Sequence, residues 1–329
     1  MTIRWLAKKL LRLLPQKPAR ALKEREISSI AYLFSGTYGD FVQSLDTLKA
    51  LSEKYPSSII YLVSPWAFYR EFAFLLPENI RPKTFLQMLL FVVSPVDLMF
   101  TNVIAVYRVR WEAVSLLCSR VSYGFCYEDE PGRKSFTACY RLKGTYKNFS
   151  RLNFNLIALP GRYDGKPLLE EKSFFSSDNR VEEESYAIPD ERKILFHIGS
   201  ATLRKDFGSF TYHGIICSIV DFLIEKEYGL TAVAGDQDKD ILRMFMDDYP
   251  HVDTRIYSIP GLKEKLENFK GTIICFDSFM AHYCHYLKKP ALVINRELVK
   301  SGYDCSPLHK HIVLRKSDNW DLSSFFQVF

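Results

Sequence analysis

The sequence predicts an α/β protein made of two facing Rossmann-like domains with a cleft between them, preceded by a basic amphipathic segment. Two observations carry this expectation. Short apolar strands alternate with helical stretches in two separate series, the pattern of parallel sheets covered by helices. Between them, residues 143–190 break the rhythm with a Pro/Gly/Ser-rich and acidic stretch, in a chain whose 329 residues are long for one core.

The elements follow in order. In MTIRWLAKKLLRLL, Ile3, Leu6, Leu10, Leu13 and Leu14 share one helical face and Arg4, Lys8 and Arg12 another, and Pro15 ends the helix. The first series then opens with a buried strand over 28–35, a GTYGD turn over 36–40 and an amphipathic helix over 41–55. A strand over 59–64, a helix around 65–76, and a buried helix and strand within 85–100 come next. A helix near 103–118, a strand over 120–125 and a helix over 146–159 complete the first half. The second series reads strand 193–199, helix 210–227, strand 230–235, helix 237–248, strand 271–276, helix 278–288 and strand 290–295. The resulting division is 1–27 as the basic segment, 28–165 as the first domain, 166–192 as the linker and 193–329 as the second domain.

Charge is confined to one place. Residues 1–27 carry eight basic and two acidic side chains, which accounts for the whole net charge of +6. The rest of the chain is balanced, which argues against a nucleic-acid surface. A basic amphipathic helix suits an anionic membrane face, or else packs on its own protein or a partner. Seven scattered cysteines without a CxxC pair favour a reducing compartment. Lys8, Lys9 and Arg12 interrupt any secretory h-region. The apolar stretch 85–100 is cut by Ser94-Pro95 and Asp97, too short to cross a bilayer.

Three segments carry candidate chemistry. In GTYGD, Gly36 and Gly39 shape a turn that brings Asp40 to a strand's carboxyl end, where ligands bind in open parallel sheets. Asp40 there is either a general base for a hydroxyl or the N-cap of the following helix. In HIGSATLRKDF, the small residues Gly199, Ser200 and Ala201 admit a ligand, while Arg204 and Lys205 can neutralise phosphate. The bland alternative is a polar loop with two surface cations. In CFDSFMAHYCHYLKKP, a strand runs through Asp277 and Ser278 into a helix whose start attracts anions, with His282 one turn in. A capped core helix is the alternative. Asp236-x-Asp238 and His282-x-x-His285 with Cys284 have metal-like spacing but lack converging ligands, so no metal is expected.

Together, in this order and spacing, the segments resemble glycosyltransferase family 9, the ADP-heptose:lipopolysaccharide heptosyltransferases. SGTYGDFVQSLDTLKALSEKYPSSIIYLVS looks like that family's opening, HIGSATLRKDFGSF its small-residue loop with a Lys-x-aromatic step, and GTIICFDSFMAHYCHYLKKPALVIN its donor-binding helix and strand. Tyr-Gly-Phe at 123–125 and NFSRLNFNLIAL also sit where the family has comparable stretches.

The resemblance spans residues 28–315 and implies a GT-B-type, inverting, metal-independent glycosyltransferase on the inner face of the cytoplasmic membrane. Its substrates would be a nucleotide-sugar donor and a lipopolysaccharide-type acceptor. By the same resemblance Asp40 is the base, Lys205 the donor-phosphate lysine, and Asp277, Ser278 and His282 the donor-binding helix start. The chain departs from the pattern at Phe279, where the family has glycine, at Leu45-Asp46 for Leu-Pro, and at Phe207 for tryptophan. A nucleotide-sugar epimerase of the same fold and an inactive paralogue that binds glycolipid or a partner transferase are the rival readings.

Overall fold

The computed structural model describes residues 22, 26–34, 36–64, 67–84, 87, 90–104, 118–126, 137–141, 168–170, 191–296, 308–314 and 322–329. The basic N-terminal helix and the helix expected over 146–159 lie outside the described residues, as does most of the helix expected near 103–118, whose residues 103 and 104 are strand instead. The chain divides into two compact units, Met1–Asp178 and Asn179–Phe329.

The first unit is built on a seven-stranded, all-parallel sheet: β1 (Ser29–Leu33), β2 (Ile59–Ser64), β3 (Ile80–Thr84), β4 (Val96–Ile104), β5 (Ser119–Cys126), β6 (Ala138–Arg141) and β7 (Leu168–Glu170). Its order is β3-β2-β1-β4-β5-β6-β7, so the winding reverses between β1 and β4. Helix α1 (Tyr38–Lys54) buries Phe41, Val42, Leu45, Leu48 and Leu51, an apolar stripe at helical spacing. The helix expected around 65–76 is instead two 3-10 turns, Ala67–Arg70 and Ala73–Leu75, and the apolar stretch before β4 forms only a single turn, α2 (Leu90–Val93). Strand β3 was not expected. It contains Pro82, which a sheet tolerates at an edge, and β3 is an edge strand. Leu168–Glu170, within the stretch read as the linker, pairs with β6.

Asp97, seen in the sequence only as a break in an apolar run, locks β4 to β1. Its Oδ2 accepts hydrogen bonds from the N–H and hydroxyl groups of Ser28 and Ser29 at 2.9–3.1 Å. Arg120 lies 3.3 Å from Oδ1. Burial alone would push this carboxyl up, but the four donors outweigh it and hold it below the usual aspartate value.

The second unit holds a six-stranded parallel sheet of β8 (Lys193–His197), β9 (Gly229–Ala234), β10 (Asp253–Ile256), β11 (Thr272–Phe276), β12 (Leu292–Arg296) and β13 (Lys310–Leu314), in the order β10-β9-β8-β11-β12-β13. Its helices are α3 (Ala201–Phe207), α4 (Ser209–Glu225), α5 (Lys239–Asp248), α6 (Ile259–Asn268), α7 (Phe279–Tyr286) and α8 (Ser323–Phe326). Helix α4 buries Tyr212, Ile215, Ile216, Ile219, Val220 and Leu223 against Phe196, Ile274, Phe276 and neighbouring strand residues. At roughly 1.5–3 kcal/mol per fully buried large apolar side chain, that face is a substantial part of the unit's hydrophobic stabilisation. Among the described residues, no helix is long and apolar enough to cross a membrane.

Candidate active site

In a doubly wound parallel sheet, ligands bind beyond the carboxyl ends of the two strands where the order reverses. In the first unit those strands are β1 and β4, and the turn after β1 carries Asp40. The helix starts three residues earlier than expected. Thr37 is the N-cap and Asp40 is the third residue of α1, so the N-cap alternative for Asp40 is corrected to the acidic partner of a capping box. Its Oδ2 accepts from Thr37 N at 2.7 Å and from Thr37 Oγ1 at 3.0 Å. Both contacts fall on Oδ2, and Oδ1 is the oxygen left for another proton. Gly36 passes so close that a Cβ there would lie 2.7 Å from Asp40 Cβ and Oδ2 and 2.9 Å from Phe34 Cζ. Glycine is what lets this backbone fold over the carboxylate. Gly39 is buried in the first turn of α1.

In the second unit the order reverses between β8 and β11, and the two remaining motifs follow those strands. Ser200 caps α3, accepting from Leu203 N at 3.3 Å, and its hydroxyl donates to the Asp277 carbonyl at 3.1 Å. One serine therefore ties together two loops that lie 77 residues apart. The Asp277 N–H in turn donates to the Ile294 carbonyl at 3.0 Å, joining the turn to β12. Behind the first loop, the fully buried Tyr212 donates to the Ile198 carbonyl at 2.8 Å and holds its backbone.

Ser278 is the N-cap of α7, accepting from Met280 N at 3.3 Å. His282, half-buried one turn later, is pushed down to about 4 by burial and then by His285, so it is neutral near pH 7. Phe279 begins α7 and stacks on Tyr283, with ring centroids 5.3 Å apart and planes at 23°. The Tyr283 hydroxyl donates to the Ile259 carbonyl, so this ring pair packs α7 toward α6.

The two cations differ. Lys205 is exposed, whereas the Arg204 guanidinium lies 3.9 Å from Asp238, partly neutralised within the protein. Asp238 also presses on the loop: a Cβ on Gly199 would meet its Oδ2 at 2.1 Å. Burial raises the Asp238 carboxyl, and Arg204 counters part of that rise. The Asp-x-Asp pair consequently divides, Asp238 toward Arg204 and Asp236 toward Lys239 at 3.1 Å. Asp238 is a neighbour of the loop that sequence reasoning did not place there, and His197, the first residue of the HIGSATLRKDF segment, is buried beside Gly199 and pushed down to about 4 by desolvation. Only the position of Asp238 after β9 hinted at its place.

The fold is that of glycosyltransferase family 9 and its heptosyltransferases. A family 9 glycosyl transferase from Veillonella parvula superposes with a TM-score of 0.60 at 16% identity, covering 91% of this chain and 89% of that one. Escherichia coli heptosyltransferase WaaC, solved with ADP-2-deoxy-2-fluoro heptose, gives 0.58 at 12% identity, covering 91% and 97%. Escherichia coli ADP-heptose lps heptosyltransferase II gives 0.57 at 15% identity, covering 90% and 93%. In sequence, no family model and no curated protein matches the chain.

Proposed function

We propose that the chain is an inverting glycosyltransferase that moves a heptose or related sugar from a nucleotide-diphosphate donor, ADP-heptose being the leading candidate, to lipopolysaccharide core or another cell-surface glycan. The observation that carries this reading is the Ser200–Asp277 hydrogen bond, which unites both donor motifs at the strand-order reversal of the second sheet. The WaaC structure with an ADP-heptose analogue supports the choice of donor.

In this mechanism Asp40 Oδ1 takes the proton of the acceptor hydroxyl while that oxygen attacks the anomeric carbon. The bond from that carbon to the diphosphate oxygen breaks, and its electron pair leaves with the nucleotide. Lys205 and the start of α7 at Asp277 and Ser278 stabilise the departing charge, with His282 as a neutral donor and Ser200 and Arg204 shaping the loop. No metal or cofactor takes part. Titration with ADP-heptose, UDP-sugars and GDP-sugars tests the reading, and one class should bind. Lys205→Ala should weaken that donor by roughly tenfold to a hundredfold through loss of a charge-assisted phosphate contact. Failure of every nucleotide sugar to bind would refute it. Phe279 at the helix start favours the rival of an inactive paralogue that binds glycolipid or a partner transferase, for which no sugar is transferred.

Residues 1–25 form the membrane-facing part of this proposal, holding the protein at the inner face of the cytoplasmic membrane near a lipid-linked acceptor. Each basic side chain near an anionic surface is worth ~1 kcal/mol. Deleting residues 1–25 should abolish sedimentation with anionic vesicles and leave turnover of a soluble acceptor intact; vesicle binding that persists after deletion sinks this part.

A further inference from the structure

A second cluster of ligating side chains lies in the second unit, away from the nucleotide loops. His213 and Cys217 are one turn apart on the same face of α4, and Asp248 ends α5 opposite them. His213 Nε2 is 2.7 Å from Asp248 Oδ2, Cys217 Sγ is 3.5 Å from His213 Nε2, and Cys217 Sγ is 3.7 Å from Asp248 Oδ2. Helix α5 begins beside the loop after β9, and nine residues at ~1.5 Å each put Asp248 about 13 Å along its axis from that end.

We propose that His213, Cys217 and Asp248 bind a zinc-class divalent cation that clamps the end of α5 onto α4. Two of the three separations match the edges of a tetrahedral site. Bonds of about 2.0–2.1 Å to nitrogen and oxygen and about 2.3 Å to sulfur put N and O about 3.3 Å apart, and S about 3.5 Å from either. The two sulfur distances are already there, and the His213–Asp248 pair needs to open by about 0.6 Å. An imidazole, a thiolate and a carboxylate form a donor set for Zn²⁺ or Co²⁺ rather than Mg²⁺ or Ca²⁺. The Asp248 side chain is 54% exposed, which leaves an entry path and a fourth position for water.

The surroundings favour a cation. Asp221, a further turn along α4, adds negative charge and is fixed by the Tyr249 hydroxyl, which donates to Asp221 Oδ1 at 2.7 Å and lies 3.2 Å from the Cys217 carbonyl. On binding a divalent ion the Cys217 thiol loses its proton to water and the sulfur lone pair bonds the metal. The alternative is a metal-free His213–Asp248 pair with a bystander thiol.

The test uses the full chain, stripped with chelator and titrated with CoCl₂ alone. One equivalent should produce a thiolate-to-cobalt charge-transfer band with intense four-coordinate d–d absorption, and one equivalent of Zn²⁺ should remove both. Cys217→Ser should abolish the charge-transfer band and Asp248→Asn should weaken cobalt binding at least tenfold, while Cys284→Ser leaves the spectrum unchanged. Zn²⁺ should also raise the urea midpoint of the wild type and not of Cys217→Ser. Only the weak absorption of hydrated cobalt in the wild type, or a charge-transfer band that survives in Cys217→Ser, would overturn the proposal.

Discussion

Asp40→Asn should lower sugar transfer at least about a hundredfold while donor affinity stays within about twofold of wild type, because general-base catalysis contributes about 10²–10⁴ to rate. The substitution is clean for a structural reason. In the capping box, Asp40 acts on the fold only as an acceptor for Thr37 N–H and hydroxyl, and the asparagine carbonyl can accept the same hydrogen bonds. Loss of a capping contact costs ~1 kcal/mol, and Asn retains most of it. What asparagine cannot do is take a proton at the oxygen that faces away from Thr37. Urea midpoints report the capping function and turnover reports the base, so the two are separable in one variant. A folded Asp40→Asn protein that transfers sugar at the normal rate eliminates Asp40 as the base. Running the assay in chelator adds a second discrimination: wild-type activity that disappears with chelator and returns with Mg²⁺ or Mn²⁺ but not with Zn²⁺ would return attention to Asp236 and Asp238.

Where the sequence was legible, the reason is burial. Parallel strands covered on both faces read as unbroken apolar runs, so IIYLVS and TIICF could be placed almost to the residue. Two of the strands that escaped notice lack that signature, whereas β13, KHIVL, carries it and was passed over all the same. β3 is IRPKT and β10 is DTRI, both edge strands with polar or exposed residues. Helix α6 was missed although Ser258 and Pro260 carry start signals, and its N-cap accepts from Gly261 N.

The site shows the same division. Asp40, Ser200, Asp277 and Ser278 were visible because each follows a recognisable strand. The contacts that define their environment join residues far apart in the chain, as Ser200 joins Asp277, Asp238 meets Gly199 and Asp97 meets Ser28. No local spacing reports such pairs. His213 and Cys217 stand at a helical interval, but their third partner lies 31 residues beyond Cys217, and only the packing of α5 on α4 brings it there.

Acid should unfold the second unit well before the first, with most of the loss between pH 6.5 and 4. His197 and His309 are only 6% and 8% exposed, and both are pushed down to about 4. Burial is the main cause for each; for His309 the repulsion that protonation would set up with the neighbouring His311, His285 and His282 adds to it, against the Ala281 carbonyl that accepts from it at 2.9 Å. The native state therefore keeps these imidazoles neutral, while the unfolded chain protonates them near 6.5. Stability is complete above pH 6.5 and falls as the pH drops, because there the unfolded state binds more protons. At pH 5 each of the two costs on the order of 2 kcal/mol, together a large share of the 5–15 kcal/mol that holds a domain. His282 adds less, being half-buried. Asp238, whose carboxyl burial raises, acts in the opposite sense as one group against these. In the first unit Asp97 has the reverse timing: its carboxyl is held low, so its contribution is intact above the usual aspartate value and fades only below it. Urea unfolding followed by hydrogen exchange at pH 7.5, 6 and 5 should show protection lost in β8, β11 and β13 while β1 and β4 stay protected. His309→Gln should flatten the pH dependence of the second unit by about one proton. Equal protection of the second unit at pH 7.5 and pH 5 would contradict the neutral, buried state assigned to His197 and His309.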